Sequence, residues 1–500
     1  MKSLPIILFW LGIFAIGAHL RLDDLASRPF HADEATGAKI TSRCLESGTY
    51  VFDPLHYHGP LLSELGDLTA RAYGENKWSE LNKQPLRLVP AIAGCLLILL
   101  PMLGIRRYGH PPMLLAALAL ALSPLLVYYS RMYIHEMLLA LFGLLALFQF
   151  AARKCWWPAG IWIGLMFATK ETFAISLIAW FAAGTLTFLL YAAMDRATPL
   201  RLSTQSAISF IWKPLLLVGT ISLAVSMFYY TDHFTRWSGA IDAFRTYFVY
   251  KTVEGHDKPF FYYLTPLLIP KNAGGLWWFE TPLIIAALAA FIGSFVSKSM
   301  RPETQNTIRF LAFAAAFHFL IYSLIAYKTP WLALLPWAHV CLLAGFAVFL
   351  LPNRKPILAG ALALGFIPLW FQARNATGRY ASDDRNPYAY VPTAGDIETL
   401  EPWLDSIATA SPDTPMEPIA IIGCDYWPLP WYLRKYAKMG AWPEAPPSIE
   451  RLPVIFAMSD LTDTLIQTHV PVPRGLRTDT PMIVWIRQDF WDASVNQSNP

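Results

Sequence analysis

Residues 86–152 run LRLVPAIAGCLLILLPMLGI, RRYGH, PPMLLAALALALSPLLVYY, SRMYIHE and MLLALFGLLALFQFAA in unbroken succession. Charged and imidazole groups stand only at the ends of the three apolar runs. A bilayer core of about 30 Å takes about 20 apolar residues per helix, and fewer where flanking side chains snorkel, so this stretch predicts three membrane spans joined by two short turns. The turns differ in kind: the first holds Arg106 and Arg107, the second Arg131, His135 and Glu136.

Outward from this stretch, further apolar runs lie near 4–20, 156–169, 172–194, 210–230, 281–297, 308–326, 331–351 and 355–372, which makes about eleven spans. The composition agrees, with 55% hydrophobic, 14% aromatic and only 15% charged residues and a mean hydropathy of +0.38. Such a chain has the bilayer as its solvent. A net charge of +4 over 500 residues, with no basic patch interleaved with aromatics, argues against nucleic-acid binding. Cys44, Cys95, Cys155, Cys341 and Cys424 lack metal-ligand spacing. Cys44 and Cys424 could meet outside the membrane, but unconnected thiols are the expected state. Lys2 and the run from Leu4 to Leu20 could form a signal peptide, yet the many spans behind them favour a retained first helix.

The positive-inside rule orients the map. With the N-terminus in the cytoplasm, Lys2, Arg106, Arg107, Arg153, Lys154, Arg196, Arg201, Lys213, Lys298, Arg301, Arg309, Arg354 and Lys355 fall inside, while the short outer connections hold only Arg131, Lys170 and Lys328. An odd span count then sends the C-terminus out. The expected architecture is a mainly α, polytopic transmembrane bundle over 1–372, with large outer loops at 21–85 and 231–280, in a cytoplasmic (inner) membrane. Residues 373–500 are expected to form a small α/β extracytoplasmic domain, with β-like runs at 418–423, 453–458 and 481–487 and a helix-like run at 429–438. Within the first loop, Leu61 to Tyr73 reads as an interfacial amphipathic helix with Glu64, Asp67 and Arg71 facing water.

Charged groups near bilayer depth cost at least about 2.5–3.5 kcal/mol each, so their placement is informative. Here they gather on one side. His31-Ala32-Asp33-Glu34 opens the first outer loop and Asp53 to Pro60, with His56 and His58, follows; Lys170-Glu171 and Tyr327-Lys328 lie in later outer turns. A carboxylate beside several bases suits activation of a hydroxyl while cations hold a phosphate. Each element also has a plainer reading. Asp33-Glu34 can simply start a helix, His56 and His58 can be ordinary interfacial histidines, Lys170-Glu171 can be a snorkelling ion pair, and Arg131 and Glu136 can be mutual partners across a tight turn.

Several short motifs occur together: the acid pair after the first span, Tyr57-His58-Gly59-Pro60-Leu61, Ser130-Arg131 with an acid five residues later, and Thr169-Lys170-Glu171-Thr172. Later come Gly255-His256-Asp257-Lys258-Pro259-Phe260-Phe261-Tyr262-Tyr263, Tyr327-Lys328-Thr329-Pro330-Trp331, Asn386-Pro387-Tyr388-Ala389-Tyr390 and Pro428-Leu429-Pro430-Trp431-Tyr432. Together they resemble the C-type, polyprenyl-phosphate-dependent glycosyltransferases, in the branch related to protein O-mannosyltransferases and aminoarabinose transferases that includes the archaeal flippase-associated glycosyltransferase-like proteins.

This resemblance implies inverting transfer of a sugar from a polyprenyl-phosphate donor to a glycan, lipid or protein acceptor at the outer membrane face. By it, Asp33 is the general base and Glu34 its catalytic neighbour. His58, Arg131, Lys170 and Lys328 are candidates for the donor phosphate, and His56, Glu136, Glu171, His256, Asp257 and Tyr262 for acceptor or supporting roles. Glu136 departs from the family, which more often has Asp there. A divalent cation (Mg²⁺, Mn²⁺ or Zn²⁺) is an open expectation, with Glu34, His56 and Glu136 as candidate ligands and Asp33 and His58 nearby in sequence. Two other classes compete: a lipid-linked sugar transporter or flippase component, which should spread its charges through the membrane depth, and a non-catalytic sugar-binding subunit using the aromatic segments 256–280 and 425–432.

Overall fold

The computed structural model describes residues 4–152, 155–194, 204–250, 256–351, 360, 363–412 and 414–498. Arg153, Lys154, Arg196, Arg201, Arg354, Lys355, Gly255 and much of the run 355–372 lie outside the described residues.

Among the described residues six helices are long and apolar enough to cross a membrane: Leu4–Leu22, Lys83–Tyr108, Phe173–Met194, Trp212–Tyr230, Pro302–Leu324 and Pro330–Leu350. Four more predicted runs form shorter apolar helices, His110–Leu122, Glu136–Ala152, Trp157–Thr169 and Thr281–Val296. At 1.5 Å per residue these reach only about 20–26 Å. The run 112–129 is cut in two because Pro124 lacks the N–H needed to continue the first helix; Ser123 caps a second one, Pro124–Tyr129. Burial sorts the long helices by layer. Pro330–Leu350 is 89% buried and stands at the centre of the bundle, whereas Leu4–Leu22 is 22% buried and turns Leu8, Phe9 and Leu11 outward. That first helix packs on Lys83–Leu99 and His110–Leu122, with Gly17 set against Ile98 and Ala121.

The long connections 21–85 and 231–280 carry elements of their own. Ala32–Ser47, Leu61–Ala72 and Ser238–Val249 are helices between spans, and β1 (Lys271–Ala273) pairs with β2 (Leu276–Trp278) in a hairpin. Leu61–Ala72 is amphipathic, but Arg71 is the group that faces water: Glu64 and Asp67 are largely covered, and Glu64 meets His233 at 3.2 Å.

From residue 400 on, the Leu400–Ala410 and Gln488–Ser498 helices flank a five-stranded sheet. Its strands β3 (Ile419–Ile422), β4 (Met439–Trp442), β5 (Val454–Ala457), β6 (His469–Arg477) and β7 (Thr480–Arg487) lie in the order β4-β3-β5-β7-β6. β3 runs parallel to β4 and β5, and β7 pairs antiparallel with β5 and β6. The two strands that the sequence did not announce are the edges. β6 carries Pro471 and Pro473, which an edge strand tolerates because one side of its backbone needs no partner. The helix expected at 429–438 shrinks to Leu429–Tyr432, pinned by Tyr432, whose hydroxyl is a hydrogen-bond partner of the Phe30 N–H and of Glu398. All five cysteines are free.

Candidate active site

The loop that follows the first helix enters the site through a capped helix. His31 is the N-cap of Ala32–Ser47: its Nδ1 accepts the Asp33 N–H at 3.1 Å, so the ring proton sits on Nε2, which donates to the Tyr390 carbonyl at 3.0 Å. Burial also pushes the His31 imidazole below its usual pKa, and the ring is neutral. Glu34 closes the capping box by accepting the His31 N–H at 3.0 Å. The plainer reading of the acid pair therefore holds for one of its members. Glu34 is fully buried and clamped by Arg87 through two bonds of 2.7 Å, by the Tyr133 N–H at 2.8 Å and by Arg28 at 3.5 Å. Arg87 and Arg28 outweigh the desolvation of this carboxyl and hold its pKa near 2. Glu34 is thus an anchor that cannot touch a substrate, and the catalytic role expected of it falls away.

Asp33, one residue earlier and a third of a helical turn around, faces the other way. Its carboxylate is 52% exposed, and the nearest basic group is the neutral His31 ring at 4.0 Å. Tyr250, His256, Tyr327 and Tyr390 all lie within its electrostatic reach. His256 Nδ1 and the Tyr390 hydroxyl are 2.7 Å apart. Lys258 adds a cation to this rim, 5.9 Å from the Tyr390 ring centre.

Across Tyr250 stands the second group. Tyr250 stacks on His58 with ring centroids 5.3 Å apart, and His58 meets Glu171 at 3.0 Å. Gly59 makes this possible: a Cβ there would come within 2.2 Å of the Ala168 carbonyl oxygen, so only glycine lets the loop press His58 against the Lys170-Glu171 turn. Lys170 is buried against Glu136 at 2.5 Å, and the carboxylates of Glu136 and Glu171 push its pKa up. His58 in turn holds the Glu171 carboxyl near 2. Lys170 and Glu136 form one buried pair and His58 and Glu171 another, instead of an unopposed cationic patch.

Other expectations change for physical reasons. Arg131 does not pair with Glu136; its guanidinium donates to the carbonyls of Leu20, Asp23 and Asp24 at 3.2, 2.5 and 2.9 Å, and so caps the end of the first helix. Lys328 is buried and donates to the carbonyls of Ile325 at 2.5 Å and Lys258 at 2.9 Å, stapling two chain segments together. Neither is free for a phosphate. His56 is exposed and paired with Asp53 at 2.9 Å, away from Asp33. Asp257 contributes a backbone bridge to Tyr327, and Tyr262 sits mostly buried within reach of Tyr390. The residues that the sequence did not single out are His31, Arg28, Arg87, Tyr250 and Lys258. Only His31 and Lys258, inside quoted motifs, carried a signal.

The proposed metal ligands do not converge. Glu34 is held by Arg87, Glu136 by Lys170, and His56 lies at the surface with Asp53. Among the described residues no three His, Cys, Asp or Glu side chains gather where they could hold an ion.

Residues 78–211 match the family model of dolichyl-phosphate-mannose-protein mannosyltransferases. No curated protein matches the chain in sequence. Among solved structures, ArnT from Cupriavidus metallidurans in the apo state is similar over 97% of this chain and 98% of its own, with a TM-score of 0.62 and 17% identity. The same protein bound to undecaprenyl phosphate gives 0.61 at 17% identity over 97% and 98%. AglB from Archaeoglobus fulgidus, in complex with an inhibitory peptide and a dolichol-phosphate, covers 93% of this chain and 70% of its own at a TM-score of 0.53 and 14% identity. The chain shares the fold of these polytopic membrane proteins along nearly its whole length.

Proposed function

We propose that this protein transfers a sugar from a polyprenyl-phosphate-linked donor to an acceptor at the outer face of the membrane, with inversion at the anomeric carbon and Asp33 as general base. One observation carries the reading: of the two neighbouring acids, Asp33 alone keeps a half-exposed carboxylate with no cation beside it. Asp33 takes the proton of the acceptor group, whose freed electron pair forms the new bond to the anomeric carbon. The bond from that carbon to the phosphate oxygen breaks, and polyprenyl phosphate leaves. His58, Lys170 and Lys258 lie around Tyr250 and Tyr390, where positive charge can offset the leaving phosphate. Glu171 orients His58 and Glu136 holds Lys170. The structurally similar proteins bound to undecaprenyl phosphate or dolichol-phosphate support the donor class.

The test offers purified protein in lipid a panel of polyprenyl-phosphate sugars and reads release of polyprenyl phosphate. Release with at least one donor, dependent on acceptor, is expected. Movement of the lipid across the bilayer without release would instead identify a transporter. The reading requires residues 373–500 to lie outside the cytoplasm, and a reporter fused after residue 380 that reads as cytoplasmic would put Asp33 on the wrong face.

A further inference from the structure

Away from Asp33, a pocket of about 330 Å3 opens where the Leu4–Leu22 and Ile367–Thr377 helices end, lined by His19, Asp23, Asp24, Arg131, Arg374 and Arg379 among others. Its charges are not matched to each other. Arg131 spends its guanidinium on carbonyl oxygens of Leu20, Asp23 and Asp24. Arg374 lies 5.7 Å from the centre of the Trp370 ring and Arg379 5.3 Å from that of Tyr380. Among the described residues none of these guanidinium groups has a carboxylate within 4.0 Å, and neither Asp23 nor Asp24 has a basic partner at that distance. The pocket therefore holds the guanidinium groups of Arg374 and Arg379 and the carboxylates of Asp23 and Asp24 with no ion pair formed among them at that distance.

Its level in the membrane is fixed by its neighbours. Leu4–Leu22 is long and apolar enough to span, and its last residue, Leu22, is 41% exposed; Ile367 and Phe371, one to two turns before Arg374, are 46% and 53% exposed. An apolar outward face that gives way to Trp370 and then to Arg374 marks the headgroup boundary. A ligand here has chains below and a polar head within the pocket. The head that answers both signs carries a phosphate for the planar guanidinium forks and an ammonium with N–H donors for the carboxylates.

We propose that this pocket seats the headgroup of a phosphoethanolamine lipid, with its phosphate on Arg374 and Arg379 and its ammonium on Asp23 and Asp24. The chains run along the exposed side chains of the two helices. The inference rests on the membrane setting and not on the transfer chemistry. The occupant braces the turn from Asp23 to Ser27, which leads directly into the loop bearing His31 and Asp33; Arg131 continues the contact inward, its carbonyl accepting from Arg28 at 3.1 Å.

The test measures retention of added lipids by the purified protein in detergent, by native mass spectrometry. Phosphatidylethanolamine, phosphatidylglycerol and phosphatidylcholine of matched chains are compared. Phosphatidylethanolamine should be held about tenfold or more tightly than either of the others, the loss expected when one charge-assisted hydrogen bond goes unmade. R374Q/R379Q should weaken all three lipids. D23N/D24N should bring phosphatidylethanolamine down to the level of phosphatidylglycerol. Equal binding of phosphatidylglycerol would reveal a simple anion patch, and equal binding of phosphatidylcholine would show that the ammonium N–H groups are not read. Displacement by glycerophosphoethanolamine at equal concentration would identify a soluble ligand. Each of these outcomes overturns the proposal, and because the lipid panel is run on the unmodified protein, a misfolded variant cannot rescue it.

Discussion

Neutralising each of two adjacent acids should have opposite effects. Glu34→Gln leaves Arg87 and Arg28 buried without their counter-ion. Breaking a buried pair of this kind typically costs about 3–5 kcal/mol. The linkage route gives the same order: lowering the Glu34 pKa from 4.5 to about 2 corresponds to about 3 kcal/mol at about 1.4 kcal/mol per unit. The carboxyl is depressed in the fold, so its contribution is present above pH 4.5 and is lost as pH falls toward 2. Glu34→Gln should therefore lower the thermal midpoint at neutral pH by several degrees and flatten the loss of stability on acidification. Asp33→Asn alters a half-exposed group without a cation, so the midpoint should stay within the range of about 0.5 kcal/mol usual for surface changes. Turnover should nevertheless drop by at least about 10²-fold, the usual effect of losing a general base. Both variants can be followed in lipid nanodiscs by thermal unfolding and single-turnover release of polyprenyl phosphate. Full turnover by Asp33→Asn, with a donor that the unmodified protein uses, would remove Asp33 as the base. A Glu34→Gln protein as stable as the parent would refute the anchor.

His58→Ala should raise the apparent donor KM more than it lowers kcat, whereas Glu171→Gln should show a weaker version of the same change because it acts through His58; steady-state kinetics on both variants separates the cases. Lys328→Met should destabilise the protein by about 1–3 kcal/mol, since it removes the charged donor from the part-buried Ile325 and Lys258 carbonyls, while donor affinity is unchanged in a binding assay. Burial raises the Glu64 carboxyl pKa despite the nearby His233, so the fold binds more protons there than the unfolded chain, and stability should fall as pH rises from 4.5 through the raised value. Glu64→Gln should remove that slope in thermal unfolding measured from pH 5 to 8.

The membrane character was legible because apolar length is a property of sequence alone; the runs at 4–20 and 172–194 read directly as helices. Asp33 was legible as an acid placed just beyond a span. What separates it from Glu34 is the rotation of one helix, which Arg87 sets from inside the bundle, and no spacing rule reports that. Arg131 and Lys328 were overread for a related reason. A sequence shows carboxylates that might oppose a cation, but not the carbonyl oxygens at a helix end or turn that take its hydrogen bonds. Tyr250 carries no mark at all until the fold lays it on His58.

The loop that presents Asp33 is shaped by the far end of the chain. The Phe30 N–H meets the Tyr432 hydroxyl at 2.8 Å, the Phe30 carbonyl accepts from Thr393 at 2.9 Å, and His31 donates to the Tyr390 carbonyl at 3.0 Å. These partners lie 402, 363 and 359 positions downstream. During synthesis Asp33 therefore leaves the ribosome well before the groups that set the geometry of its loop. A nascent or truncated chain ending before residue 390 would already hold most of its helices in the bilayer and still lack the Tyr390 carbonyl that holds the His31 ring, so the Asp33 loop takes its shape only after that late segment has been made.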